Sequence, residues 1–210
     1  MTDLESLSPL LARPAALLYA AGTALYHAAY DHGWRSVERL ERPVLSVGNL
    51  EVGGTGKTPA VLALAQAARR AGLHPAVLTR GYGGSGASGL LREGAWVGGP
   101  GPDPGDEPLL LSRALPDMPV LVGARRAEGA REFLARGGRA DLFLLDDGFQ
   151  HRPLARDRDL VLLDARRPFG NGRLLPAGTL REPPPALCRA DHLLLTGMRP
   201  GEPIAAAVLR

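Results

Sequence analysis

The sequence predicts an α/β fold, a mainly parallel β-sheet with helices on both faces, preceded by a separate N-terminal helix. Three observations carry this. Short apolar runs rich in β-branched residues recur along the chain, and helix-compatible stretches lie between them. A glycine-rich turn follows the first run and opens the first helix of the series. Strands and helices in alternation imply parallel pairing, with the helices packed on the sheet faces.

The N-terminal segment, PLLARPAALLYAAGTALYHAAY at residues 9–30, is apolar and reads as a helix over about 14–30. A bilayer span takes about 20 uninterrupted apolar residues, and Arg13, Pro14 and His27 interrupt this one. A secretory leader opens on a basic region, whereas this chain opens on MTDLES. Two readings stand for the helix. It packs on the domain, or it lies on a membrane surface with Trp34 and Arg35 at its polar end.

Strands are expected at 43–47, 76–79, 119–122, 141–145, 159–163 and 192–196, and helices at 58–71, 107–115 and 125–136. Two irregular segments interrupt the alternation. Residues 81–105 hold a second glycine cluster with a hairpin around 90–97, and residues 166–185 are rich in Gly, Pro and Arg. In an open α/β sheet such loops lie beyond the strand C-termini, where ligands bind.

Composition sets outer bounds. At 210 residues and 45% hydrophobic, the chain buries a core without staples. It is expected to divide into an N-terminal helix over 1–35 and an α/β domain over 36–210. The lone Cys188 cannot form an internal disulfide, which suits a reducing compartment. A net charge of +3 favours acidic partners such as nucleotides or anionic lipid. Nucleic acid is not among the expected partners, because there is no aromatic RNA-binding motif, zinc-finger spacing or basic run.

The stretch GNLEVGGTGKTP, after the run PVLSV, has the composition of a phosphate-binding turn. Glycine loses the most backbone entropy on ordering, so a glycine cluster there needs a reason. A turn that brings bare N–H groups up to an anion supplies one. Of the 25 basic residues only Lys57 is lysine, which points to a site needing a compact ammonium rather than a guanidinium fork. Glu51, Val52, Gly53, Gly54, Thr55, Gly56, Lys57 and Thr58 thus form the candidate phosphate loop of a P-loop-NTPase-like fold, the stretch that the family resemblance below implies is an ATP loop. Lys57 reaches the terminal phosphates and the Thr58 hydroxyl binds magnesium. The strict pattern GxxxxGK[ST] has glycine where this chain has Glu51, whose side chain must therefore point away from the phosphates.

Downstream, ADLFLLDDGFQHRPLARD ends an apolar strand in Asp146 and Asp147. Beside a phosphate loop, carboxylates there suit a magnesium site; a plain Asp-Gly turn is the alternative. His151 follows, as either a structural hydrogen bonder or a catalyst. In GDEPLLL, Asp106 reads either as a helix N-cap or as a general base that takes a proton from an attacking hydroxyl. Arg181, in the proline-stiffened LREPPP, is either a surface arginine or a group stabilising charge on a transferring phosphoryl.

The stretches SVGNLEVGGTGKTP, LTRGYGG, GDEPLLL, DDGFQHRPLARD and DARRPFGNGRLLPAGTLREP, in this order and spacing, resemble the tetraacyldisaccharide 4′-kinase family over roughly residues 10–200. The resemblance implies a lipid kinase dependent on ATP and Mg2+. Such an enzyme transfers the γ-phosphate to the 4′-hydroxyl of a tetraacyldisaccharide 1-phosphate in lipid A biosynthesis. It also implies a peripheral place on the cytoplasmic face of the bacterial inner membrane, with the N-terminal helix touching the membrane and no protein partner required. By matching motif, Asp106 resembles the family's base with Glu107 beside it, and Asp146 and Asp147 its magnesium pair, with His151 in the same motif. Arg181 and Glu182 resemble its transition-state loop, and Arg126, in VGARRAEG, an arginine that contacts the lipid substrate. Thr179 stands where the family usually has proline. Family members run longer, and their further segment is expected to supply a histidine paired with the base. A shortened gene, a fragment and a divergent member of reduced activity are the readings this leaves. Two other functions compete: a membrane-localised ATPase switch, which would carry lysine where this chain has Val52, and an impaired nucleotide-binding remnant.

Overall fold

The structure is a computed structural model that describes residues 9–81, 88–98 and 101–198, with side chains described from residue 12 onward. The elements run α1 (Pro9–Asp31), β1 (Val44–Asn49), α2 (Lys57–Arg70), β2 (Pro75–Thr79), β3 (Gly89–Arg92), β4 (Ala95–Trp96), α3 (Asp106–Ala114), β5 (Val120–Val122), α4 (Arg126–Ala135), β6 (Leu142–Asp146), β7 (Arg158–Asp164), a 3-10 helix (Pro184–Arg189) and β8 (His192–Thr196). The strands form an eight-stranded sheet in the order β4-β3-β5-β2-β6-β1-β7-β8.

Every expected strand and helix is present, with ends shifted by a few residues. The largest shift is at α1, which starts at Pro9 and runs through Pro14. A proline inside a helix lacks the N–H that would bond one turn back, so Pro14 weakens this helix without ending it. The expected hairpin around 90–97 is β3–β4, paired antiparallel. Of the irregular segment over 81–105, residues 82–87 and 99–100 lie outside the described residues.

Contacts divide the chain into two compact units. One comprises residues 37–48 and 56–160; the other comprises 1–36, 49–55 and 161–210. In the first, β6 pairs in parallel with both β1 and β2, and β2 pairs in parallel with β5. Strand β3 joins β5 antiparallel, and β4 pairs on its far side to end the sheet there. Parallel strands covered on both faces read as continuous apolar runs rather than alternating ones. That is why LFLLD and PAVLT are buried almost throughout.

On one face Ala127, Ala130 and Phe133 of α4 pack with Ala76, Leu78, Phe143 and Leu145. Side chains alternate along a strand, so Val77 and Leu144 face the other way. There α2 packs on β2 and β6 and buries Val61 and Ala65. The register Val47↔Asp146 matters most for function, because it places the end of β6 beside the end of β1, where the glycine turn departs. The approach is tight: a Cβ on Gly48 would stand 2.5 Å from the Cβ of Phe149.

The second unit contains α1, the 3-10 helix and β8. Tyr30 is buried, whereas Leu17, Leu18 and Leu25 are exposed. Among the described residues, no helix is long and apolar enough to cross a membrane.

Candidate active site

The glycine turn explains itself residue by residue. Gly53 has φ 122° and Gly56 φ 84°, conformations that L side chains rarely adopt. At Gly53 and Gly54 alike an added Cβ would meet nothing within 4 Å beyond the adjoining residues, so there is open space beside the turn for a bulky anion. Helix α2 begins at Lys57 with no side chain capping its N-terminus. The first N–H groups of a helix have no intrahelical partners and attract anions.

Within the larger unit, four elements converge at that helix start. Lys57 Nζ lies 3.6 Å from Asp147 Oδ1, and both side chains are nearly buried. Asp147 has φ 49°, an uncommon conformation that Asp tolerates better than most residues. Asp146 ends β6 fully buried, and its Oδ2 accepts a bond of 3.2 Å from the Thr79 hydroxyl at the end of β2. Its Oδ1 is buried with no hydrogen-bond partner. Burial, followed by the charges of Glu107 and Asp147, pushes the Asp146 carboxyl up to about 7. From α3, Glu107 Oε1 accepts a bond of 3.2 Å from the Thr58 hydroxyl.

Such crowding of carboxylates around one orphaned oxygen suits a divalent cation. Among the described residues, no group of three or more His, Cys, Asp or Glu forms a ready metal cage. Magnesium does not need one, because it keeps several waters and takes one or two carboxylates plus substrate phosphates. Asp146, Asp147 and the Thr58 hydroxyl therefore fit it.

Asp106 corrects one expectation. The N-cap of α3 is Gly105, and Asp106 is the first helical residue, making no capping bond. The side chain that braces the turn is Asp103, whose Oδ1 accepts from the Gly105 N–H at 2.9 Å. The Asp106 carboxylate is exposed instead. Its helix is the one that brings Glu107 to Thr58.

Arg126 and His151 meet in the same unit. Arg126, buried at the start of α4, approaches His151 Nδ1 at 3.1 Å through Nη1. A guanidinium only donates, so Nδ1 accepts and the imidazole is neutral. Burial, with Arg126, Arg156 and Arg80 nearby, pushes His151 down to about 3.

In the other unit, the first half of the glycine turn is fixed by backbone. Val52 N–H donates to Thr179 O at 2.8 Å, and Arg181 N–H donates to Leu50 O at 2.7 Å. The Glu51 carboxylate accepts from the Thr179 hydroxyl at 2.7 Å. The two departures from pattern, Glu51 and Thr179, thus bond to each other. Asn49 Nδ2 donates to Thr55 Oγ1 at 2.8 Å, and the Thr196 hydroxyl of β8 donates to Thr55 O at 3.0 Å. Glu182 is buried between His27 at 2.9 Å and Arg189 at 2.7 Å.

A family model described as tetraacyldisaccharide-1-P 4′-kinase matches residues 8–208. The chain belongs to that family. Similar members include the tetraacyldisaccharide 4′-kinase of Anaeromyxobacter dehalogenans (strain 2CP-C), 51% identical over 85% of this chain and 47% of the relative. That of Syntrophus aciditrophicus is 50% identical over 86% of this chain and 49% of the relative. The chain therefore spans about half the length of these relatives. The crystal structure of LpxK from Aquifex aeolicus, solved with ATP, matches with a TM-score of 0.80 at 37% identity, covering 91% of this chain and 60% of that one.

Sequence reasoning missed several contributors. Thr79 carried a signal, being a polar residue that ends an otherwise apolar strand. Asn49 and Thr196 are also strand-end polar residues. Tyr19 read as part of the apolar run of the N-terminal helix and His27 as an interruption of it, and only the fold supplies their partners.

Proposed function

We propose that this chain binds ATP with magnesium and phosphorylates the 4′-hydroxyl of a tetraacyldisaccharide 1-phosphate, a lipid A precursor. The observation that carries the reading is the convergence of Lys57, Thr58, Glu107, Asp146 and Asp147 at the start of α2, in a member of this family. The Lys57 ammonium and the N–H groups of α2 hold the β- and γ-phosphates. Thr58, Asp146 and Asp147 would hold magnesium, whose chemistry is to neutralise charge on the phosphoryl oxygens.

Asp106, exposed and free of capping duty, takes the proton of the 4′-hydroxyl. The hydroxyl oxygen bonds to the γ-phosphorus as the bond to the β–γ bridging oxygen breaks, and ADP leaves. Arg181 stabilises charge on the group in flight, with Glu182 beside it. Arg126 and neutral His151 serve the acceptor. The exposed Leu17, Leu18 and Leu25 of α1 support peripheral attachment to a lipid surface, on the cytoplasmic face of the inner membrane. The test is transfer of labelled γ-phosphate from ATP to the disaccharide in mixed micelles. Tight MgATP binding without transfer to that acceptor would overturn the reading.

A further inference from the structure

An arginine that stabilises a phosphoryl group in flight must itself be held in place. The loop around Arg181 makes backbone bonds at Leu180 and Arg181 and a side-chain bond from Thr179 to Glu51, and side chains of α1 and the 3-10 helix hold it further on. Tyr19 Oη donates to the carbonyl oxygen of Arg181 itself at 3.1 Å. Eight residues on, and so on the same helix face, His27 Nε2 lies 2.9 Å from Glu182 Oε2. Arg189 Nη2 reaches the same oxygen at 2.7 Å from the 3-10 helix.

Glu182 is about 1% exposed, and a buried carboxylate persists only when paired. Burial would raise it, yet the His27 bond and Arg189 outweigh that and bring it below the usual range. It is therefore a charged anchor clamped from two elements, next in sequence to Arg181. Meanwhile Leu18 and Leu25 of α1 are exposed, so the helix makes its polar bonds inward and leaves leucines outward. That inverts the ordinary amphipathic pattern.

We propose that α1 is a positioning element for the Arg181 loop, acting through His27 and Tyr19. Tyr19 holds the Arg181 carbonyl and His27 the side chain of the adjoining Glu182, neither touching the reacting groups, and the inference rests on the kinase reading for its catalytic consequence. Misplacement of a positioned group by about 1 Å costs about 100-fold in rate. Loss of the His27 contact is accordingly expected to lower kcat by about 10- to 100-fold, with KM for ATP unchanged.

The experiment compares the full chain with His27→Leu and His27→Gln, the latter keeping an N–H donor. Hydrogen exchange by mass spectrometry follows the peptide spanning residues 174–190, and turnover on soluble disaccharide in micelles gives kcat and KM. The expected result is faster exchange in that peptide and reduced kcat for His27→Leu, both largely restored in His27→Gln, with exchange of α2 unaltered. Unchanged loop exchange would overturn the proposal, and so would faster loop exchange at full kcat, which would mark a structural contact only. If His27→Leu unfolds, Tyr19→Phe applies the same measurements, since it removes the hydroxyl alone. Absence of turnover in the unaltered chain would sink the kinase reading instead, and the exchange arm would still decide whether His27 holds the loop.

Discussion

At the scale of single residues, the site rests on a few groups whose burial makes substitution legible. Lys57 and Asp147 are packed against each other with little exposure, so Lys57→Ala is expected to remove most nucleotide affinity. Lys57→Arg should fail too, because a planar fork does not fit where a compact ammonium sits. Nucleotide titration by calorimetry checks both, and wild-type affinity in either variant would refute the phosphate-loop role. Asp106→Asn is a cleaner test than it looked from sequence. Since Gly105 caps α3 and Asp106 is exposed, asparagine should leave the melting temperature alone. General-base catalysis is worth about 100- to 10,000-fold, and turnover should drop on that order. A rate that survives would remove Asp106 from the mechanism. His151 carries a pH signature. Its folded value of about 3 lies below the ordinary 6.5, so between those values the unfolded chain binds the proton and the folded chain does not. Its stability contribution is complete above about 6.5 and is lost as pH falls toward 3. Denaturant melts from pH 7 to 4 should therefore fall less steeply for His151→Gln than for the unaltered chain.

At the scale of elements, α1 is where sequence and structure part most usefully. An apolar run broken by Arg13, Pro14 and His27 read equally as packing or as interfacial, and its inner face shows why. Tyr19 and His27 have partners more than a hundred residues away, which no local pattern can announce. The sheet was legible because doubly covered strands are apolar throughout, and the glycine turn was legible because its φ values admit little else. The choice between cap and base at Asp106 stayed open in the sequence for a local reason: Gly105 takes the N-cap position with φ 87°, which frees Asp106 from that role. The tie between Glu51 and Thr179 was hidden because each residue looked like a separate irregularity. Deleting α1 is accordingly a poor test of membrane contact, since it strips His27 from buried Glu182. Replacing Leu17, Leu18 and Leu25 with Gln leaves those bonds in place. Burial of a leucine is worth about 1.5–3 kcal/mol, so the triple variant should lose at least about tenfold in partition to anionic vesicles. Equal sedimentation would exclude the stripe as a lipid contact.

For the whole molecule, the decisive quantity is how ligand binding adds to folding stability, because it needs no turnover and no lipid. A ligand that binds only the folded state at about 100 times its Kd adds about 2.7 kcal/mol. For a chain of this size each kcal/mol moves the melting temperature by about 2–4 °C, so saturating MgATP should raise it by about 5–10 °C. The orphaned Asp146 Oδ1 makes a further demand. If that oxygen serves magnesium, ATP with a chelator should give a distinctly smaller rise than MgATP. Asp146→Asn should erase the difference while keeping the residual ATP response, because Lys57 and the α2 N-terminus remain. The substitution should not cost the apo fold much, since Asp146 sits against Glu107 and Asp147 and a neutral amide relieves that repulsion. An identical rise with and without magnesium in the unaltered chain would show that the carboxylate pair has a purely structural role. The phosphate loop would then have to be assigned a metal-free mode of binding.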